Sequence, residues 1–208
     1  MIDFNSGGTT DMNGQLTTAP DKVNKKFEIR GLNHIAMVCA DMKRTVDFYQ
    51  GVLGMPLIKT HVFDHGQHFF FDMGCGASFA FFWLRDAPAA LPGPTVPSIL
   101  HFETPIGAMN HFAFNVDAAL IPEYRERLIA AGVEVSKIVH HDDVSPNGLN
   151  VTQQEHKSTW VSSIYFRDPD GIQLEFAGWR RVFTEADVRH EPATAVDAPR
   201  HKRETIDA

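Results

Sequence analysis

Two histidines stand at matching places in a phrase that the chain contains twice. Residues 32–38 read LNHIAMV and residues 109–114 read MNHFAF, so His34 and His111 each open an apolar, strand-like run. A repeat at this spacing indicates two copies of one small structural unit. If the copies pair about a pseudo-twofold axis, the two imidazoles face each other. Two facing imidazoles favour a metal site.

A carboxylate completes this candidate site. Residues 171–176 read GIQLEF, and in a half-buried strand Glu175 lies on the face opposite to the apolar side chains. A carboxylate in that position needs a cationic partner or a metal ion. Two histidines and one carboxylate leave positions open on an octahedral ion, and this set suits non-haem Fe(II) that binds substrate and oxygen together. The predicted metal ligands are His34, His111 and Glu175.

The apolar patterning predicts the elements that position these ligands. The first unit is predicted to contain a strand over 33–39, a helix over 42–50 capped by Asp41, and strands over 57–63, 67–73 and 78–84. The second is predicted to contain a strand over 111–116, a helix over 121–131, and strands over 133–139, 159–166 and 172–177. Its polar stretch 140–158 is predicted to be a functional or mobile loop. The fold class is α+β, with two tandem βαβββ modules.

The polar and proline-rich segments set the predicted domain boundaries. They are an N-terminal arm over 1–27, module 1 over 28–86, a proline-rich linker over 87–107, module 2 over 108–183, and a C-terminal tail over 184–208. Both terminal segments are poor in large apolar side chains and are predicted to be flexible.

Composition narrows the class of partner. The formal net charge of -7 over 208 residues argues against affinity for nucleic acid or anionic membranes, because phosphate binding needs a basic face. A small-molecule partner is the alternative. The two cysteines form no disulfide framework, which is typical of a reducing compartment. No apolar stretch is long enough to span a bilayer and the N-terminus lacks a signal-like apolar segment, so we expect a cytoplasmic protein.

Four phrases make the chain resemble the vicinal-oxygen-chelate superfamily of glyoxalases, epimerases, resistance proteins and type I extradiol dioxygenases. They are residues 32–38, residues 47–49 with 53–55, residues 109–116, and residues 165–175. The resemblance implies two βαβββ modules whose sheets curl into a cup around a metal. It also implies a homodimer, since members of this superfamily often dimerise.

Two comparisons within the superfamily favour its extradiol branch. Laying residues 76–81 over 171–176 puts Ala80 where Glu175 stands, whereas glyoxalase-like members take a ligand or a base from that place. The spacing of His156, Tyr165 and Glu175 also resembles the extradiol pattern. By that resemblance, Tyr165 hydrogen-bonds a metal-bound substrate oxygen and His156 lines the substrate side.

One departure from the extradiol pattern concerns its acid/base histidine. In that pattern a histidine stands in the strand that corresponds to 75–81, and this chain has none there. The candidates to replace it are His61, His68, His101 and the pair His140 and His141. The last two lie in the predicted loop, where surface exposure is the simpler expectation.

Three functions are therefore open. The leading hypothesis is an Fe(II)-dependent extradiol-type dioxygenase that cleaves a catechol-like aromatic with O2, with Mn(II) as an alternative metal. The second is a metal-dependent glyoxalase- or epimerase-type isomerase or lyase, which would use Zn or Ni. The third is a metal-free small-molecule binding or resistance protein.

Overall fold

A computed structural model describes residues 26, 27, 29, 31–89, 107–143, 151–188, 190 and 192. Most of the predicted N-terminal arm, residues 90–106 of the predicted linker, residues 144–150 of the predicted loop and most of the C-terminal tail lie outside these residues. Within them, no helix is long and apolar enough to cross a membrane.

Module 1 has the predicted order of elements. They are β1 (His34–Cys39), α1 (Met42–Val46), a π-helical segment (Asp47–Val52), β2 (Leu57–Phe63), β3 (Gly66–Gly74) and β4 (Ala77–Leu84). Asp41 caps α1 by accepting a hydrogen bond from the backbone N–H of Arg44 at 3.0 Å, as predicted. The sheet order is β1-β4-β3-β2, with β1 parallel to β4. The βαβββ prediction is confirmed for this module.

Module 2 repeats the plan with one change. Its elements are β5 (Phe112–Asn115), α2 (Ile121–Ala130), β6 (Val139–His141), β7 (Val151–Thr152), β8 (Val161–Arg167) and β9 (Gln173–Trp179). They form a sheet of order β5-β9-β8-β6-β7, with β5 parallel to β9. The two mixed sheets with few helices confirm the α+β class.

The structure corrects the prediction for residues 133–143. Within the predicted strand 133–139, Val135 makes an isolated bridge to Phe166, and the regular strand begins only at Val139 and runs into the predicted loop. Pairing with β8 holds it there. His140 and Asp142 are consequently buried, with 8% and 0% exposure, instead of lying on a solvated loop.

The core lies on the helix-bearing faces of both sheets. In β1, Met37 and Cys39 pack into it, whereas His34 and Val38 are exposed on the opposite face. Phe79 of β4 joins the modules, since its ring lies 4.8 Å from that of Phe112 and 5.4 Å from that of Phe114. The sheet face that carries His34 is therefore turned away from the shared core.

Hydrogen bonds connect the turn between β8 and β9 to module 1. The Tyr49 hydroxyl donates to Asp168 at 3.1 Å, and the backbone N–H of Ala40 donates to Asp170 at 3.2 Å. Asp168 also accepts the backbone N–H groups of Asp170 and Ile172, at 2.9 and 2.8 Å. Burial outweighs these hydrogen bonds and raises the pKa of Asp168 to about 6.

This pKa predicts a pH dependence of stability. The folded protein keeps a proton on Asp168 that an unfolded aspartate, with a pKa near 3.8, loses earlier. The stabilisation is therefore full below pH 4 and is lost as the pH rises through about 6. Asp168→Asn cannot titrate. We expect the unfolding free energy of the wild type, relative to Asp168→Asn, to fall by about 3 kcal/mol between pH 4 and pH 7. Urea unfolding measures it, and a constant difference would contradict the assignment.

Candidate metal centre

The registers of the two sheets place the repeated histidines in equivalent surroundings. Two residues after His34, Ala36 pairs with Ala80; two residues after His111, Ala113 pairs with Glu175. The overlay of residue 80 on residue 175 is therefore confirmed by backbone pairing. Module 1 offers no carboxylate at this position, because Ala80 has only a methyl side chain, which is fully buried.

Module 2 brings three of the predicted site residues together. The Nε2 atom of His111 lies 2.9 Å from Oε2 of Glu175, and the Tyr165 hydroxyl donates to Oε1 of the same carboxylate at 2.9 Å. Tyr165 and Glu175 face each other on neighbouring strands. They are 2% and 5% exposed. The carboxylate thus has one oxygen facing an imidazole and one facing a phenol.

Neighbouring groups set the ionisation of this cluster. Burial by itself would raise the pKa of Glu175, but the contact with His111 and the hydrogen bonds from Ser163 and Tyr165 outweigh it, so the pKa is lowered. Burial and the adjacent Glu175 charge raise the pKa of Tyr165. Glu175 is therefore a carboxylate at neutral pH, and Tyr165 is a neutral hydrogen-bond donor.

An asparagine orients each histidine, a role that the sequence reasoning missed. Nδ1 of His111 lies 2.7 Å from Oδ1 of Asn110, and Nδ1 of His34 lies 2.7 Å from Oδ1 of Asn33. Because an amide oxygen only accepts, each Nδ1 donates to it, and in the neutral form of the ring Nε2 presents a lone pair. The signal was present in the sequence, since both copies of the phrase read Asn-His.

The described part of the chain does not assemble the full triad. His34 belongs to module 1, where its ring centroid lies 6.1 Å from that of Phe70. Among the described residues, no three His, Cys, Asp or Glu side chains stand close enough to hold one ion. Only His111 and Glu175, of the three predicted ligands, are in direct contact.

The donor set nevertheless fits a divalent metal. In a neutral imidazole held by Asn110, Nε2 of His111 has no proton to give Glu175, so their 2.9 Å contact needs either a proton or a metal ion between two lone pairs. Imidazole nitrogen with carboxylate oxygen is a ligand combination suited to first-row divalent metals. His111 and Glu175 are thus two candidate ligands of a site that would need further donors.

Of the remaining candidate histidines, His156 lies apart from this cluster and His141 lies beside it. His156 is exposed and lines a cavity of about 300 Å³ with Asp117, Glu155 and Arg180, apart from the Tyr165 and Glu175 contact. His141 instead places Nε2 3.5 Å from the Tyr165 hydroxyl oxygen. His101 lies outside the described residues.

The exposed face of the module 1 sheet carries aromatic rings beside His34. His68 stacks on Phe82 with ring centroids 3.6 Å apart, and its ring lies 4.3 Å from that of Phe70. His61 pairs with His68 across β2 and β3. Burial lowers the pKa of His68, with smaller contributions from His34 and His61, so the neutral form of the His68 ring is favoured.

The fold and the site define a two-module protein with a histidine and carboxylate pair suited to a metal. The family model described as Glyoxalase/Bleomycin resistance protein/Dioxygenase superfamily matches residues 31–176, and the chain belongs to that superfamily. This superfamily includes enzymes.

A solved structure agrees with this fold, and a second is reported beside it. A glyoxylase/bleomycin resistance protein/dioxygenase domain from Frankia sp. EAN1pec is 18% identical with a TM-score of 0.53, over 73% of this chain and 99% of that one. The fosfomycin resistance protein FosX from Listeria monocytogenes, in complex with Mn(II) and sulfate, is 22% identical with a TM-score of 0.46, over 72% of this chain and 93% of that one.

The oriented imidazole leads to a prediction for Asn110→Ala. Without the amide oxygen, the His111 ring can rotate and change tautomer, so its lone pair is no longer held toward Glu175. We expect the dissociation constant for a divalent metal to rise about tenfold. Competition with a fluorescent chelator measures it. Asn115→Ala, an exposed change at the end of β5, is the control, and equal affinities in both variants would contradict the role of Asn110.

Proposed function

We propose that this protein is an Fe(II)-dependent extradiol-type dioxygenase that opens a catechol-like, dihydroxylated aromatic ring with O2. The observation that carries the proposal is a difference between the two modules. Ala113 pairs with Glu175 in module 2, whereas Ala36, at the equivalent place in module 1, pairs with Ala80. It leaves one carboxylate for two equivalent histidines. Three protein ligands leave coordination positions for two substrate oxygens and for dioxygen, whereas a fourth protein ligand would block one of them.

A homodimer supplies the third ligand in this proposal. His34 lies on the face of its sheet that is turned away from the core, together with the exposed Val38, and cannot complete the site of its own chain as described. Leu32 and Met109, which precede His34 and His111, are also exposed, at 46% and 49%. If the module 1 sheet of one protomer covers the module 2 sheet of its partner, these apolar side chains are buried and His34 reaches the pair His111 and Glu175.

The proposed ligands are therefore His34 from one protomer and His111 with Glu175 from the other. Fe(II) bound there would supply adjacent coordination sites and the electrons exchanged between the aromatic substrate and oxygen; Mn(II) is the alternative. Asn33 and Asn110 hold the two Nε2 lone pairs in place. At the module 1 position equivalent to Glu175, Ala80 presents a small, uncharged side chain.

Substrate recognition in this proposal uses one phenol and one aromatic wall. The Tyr165 hydroxyl lies against Glu175, so it is close enough to a ligand to hydrogen-bond a substrate oxygen bound beside that carboxylate. The partner's module 1 sheet would present rings equivalent to Phe70, His68 and Phe82, whose flat, weakly polar surfaces suit an aromatic ring.

The experiment is anaerobic purification with elemental analysis, followed by Fe(II) reconstitution and oxygen-electrode assays on a panel of catechols. The proposal predicts about one iron per chain, oxygen uptake and a yellow ring-opened product. Glu175→Gln is the matched inactive control. Tightly held Zn or Ni without oxygen uptake would overturn the dioxygenase in favour of an isomerase or lyase. Ligand binding that persists in His34→Ala without any metal would favour a binding or resistance protein.

A further inference from the structure

A polar cavity lies on the helix-bearing face of module 2, away from the candidate metal centre. Side chains alternate along β9, so Gly178 lies on the face opposite to Glu175, where a Cβ atom would stand only 2.4 Å from Cα of Ala118. The cavity beside this close contact has a volume of about 300 Å³. Its polar and charged lining residues are Asp117, Glu155, His156, Lys157, Thr159 and Arg180.

A buried hydrogen-bond network anchors the guanidinium of Arg180. Its Nε–H donates to the hydroxyl oxygen of Ser162 at 2.8 Å, and the same hydroxyl lies 2.8 Å from Nδ1 of His140. Ser162 and His140 are both buried, so this side of the guanidinium is held by the sheet. At its other end, one terminal nitrogen lies 3.2 Å from the carboxylate of Glu155. Arg180 is therefore a cation whose position at the cavity is set before any ligand arrives.

The turn that carries His156 and Lys157 is fixed as well. The backbone N–H of His156 donates to Oγ1 of Thr159 at 2.9 Å, and the backbone N–H of Thr159 donates to the carbonyl oxygen of His156 at 3.0 Å. Thr159 itself is buried. Because these two bonds close the turn, its side chains are presented to the cavity from a defined backbone, which lowers the entropic cost of binding a ligand.

The charges around the cavity favour one class of ligand. Two lining side chains are basic, Lys157 and Arg180, and two are acidic, Asp117 and Glu155. A purely anionic ligand would meet both carboxylates, and a purely cationic one would meet both basic groups. A molecule with one charge of each sign is complementary to both sets. The pairing of Arg180 with Glu155 does not oppose this, because Glu155 is half exposed and an ion pair at such a position adds little stability.

We propose that this cavity binds a small zwitterion, namely a free α-amino acid. The fork of Arg180 and the ammonium of Lys157 receive its carboxylate, and the carboxylate of Glu155 receives its ammonium group. The acidic and basic groups of Glu155 and Arg180 lie only 3.2 Å apart, so the ligand must carry its two charges close together, as an α-amino acid does. This inference is independent of the dioxygenase proposal, because the cavity shares no residue with the candidate metal centre.

The test is an NMR titration of the isotope-labelled, full-length protein with three probes. L-Alanine carries both charges with a minimal side chain, N-acetyl-L-alanine lacks the ammonium group, and L-alaninamide lacks the carboxylate. We expect L-alanine to shift the Nε–H signal of Arg180 and the backbone signals of Lys157 and Ala119 until they saturate. Each blocked probe should bind at least about tenfold more weakly, because it leaves one set of charges without a partner.

Variants assign the two charges of the probe. Arg180→Gln should weaken the binding of L-alanine by about tenfold or more, whereas Arg181→Gln, which alters a neighbouring arginine that pairs with Asp187, should leave it unchanged. Glu155→Gln, an exposed change, should abolish the preference for L-alanine over N-acetyl-L-alanine. Equal shifts by all three probes, a response to one blocked probe alone, or no saturable shift with L-alanine at tens of millimolar would overturn the proposal. Unchanged affinity in Arg180→Gln would overturn it too.

Discussion

Glu175→Gln is expected to abolish metal binding while leaving the fold intact. The amide still accepts the hydrogen bond that Tyr165 donates to Oε1, so the buried contact on β9 survives. The substitution removes the negative charge that faces His111 and that would balance the positive charge of a bound metal ion. We expect the affinity for Fe(II) or Zn(II) to fall by more than about 100-fold, because even residues outside the ligand shell change it by 10- to 100-fold.

Isothermal titration of metal into the metal-free protein measures this effect, with thermal unfolding as the check on folding. Glu123→Gln is the control, because Glu123 is an exposed carboxylate that pairs with Arg127 on α2. Retention of wild-type affinity in Glu175→Gln would remove Glu175 from the ligand set. The dioxygenase proposal would then lose its carboxylate.

A heterodimer of two inactive chains is expected to regain one metal site. If His34 serves the partner's His111 and Glu175, pairing a His34→Ala chain with a Glu175→Ala chain leaves one site intact and one doubly damaged. Co-expression with two affinity tags, purified in sequence, yields dimers that contain one of each. We expect about one ion per heterodimer against about two per wild-type dimer, and close to none in either parental homodimer.

The matched control reverses the expected result. Both changes on one chain, paired with a wild-type chain, damage both sites if the ligands come from two protomers, but leave one site intact if each chain holds its own. A single ion in the control and none in the test pairing would place the triad within one chain. A monomeric wild-type protein in solution would overturn the shared site directly.

The order of elements in both modules was predictable because it depends on local patterns. Alternating apolar residues predicted β2, β3 and β4, and Asp41 before an apolar helical run predicted the start of α1. The repeated Asn-His phrase predicted two equivalent histidines, and the strand registers confirm that equivalence. The contact of Glu175 with Tyr165 also agrees with the pattern, since both lie on the same face of neighbouring strands.

The strand β6 could not be predicted in the same way. Val139–His141 is three residues long and has too little periodicity to be distinguished from a polar loop. Its position depends on pairing with Val161 and its neighbours, some 20 residues further along the chain. The approach of His141 to Tyr165 follows from that long-range pairing, as does the separation of His156 from the site.

The sequence by itself therefore determined the α+β class, the two βαβββ units and the candidate ligands, because periodicity, capping and repetition are local properties. Only the tertiary structure decided which residues meet. Each sheet has two faces, and the modules pack through the faces that bear the helices, with Phe79 against Phe112 and Phe114. This packing buries Phe79 between the modules and leaves His34 outward, away from the shared core. The proposed sharing of the metal site between two protomers is thus a consequence of the packing that leaves His34 outward.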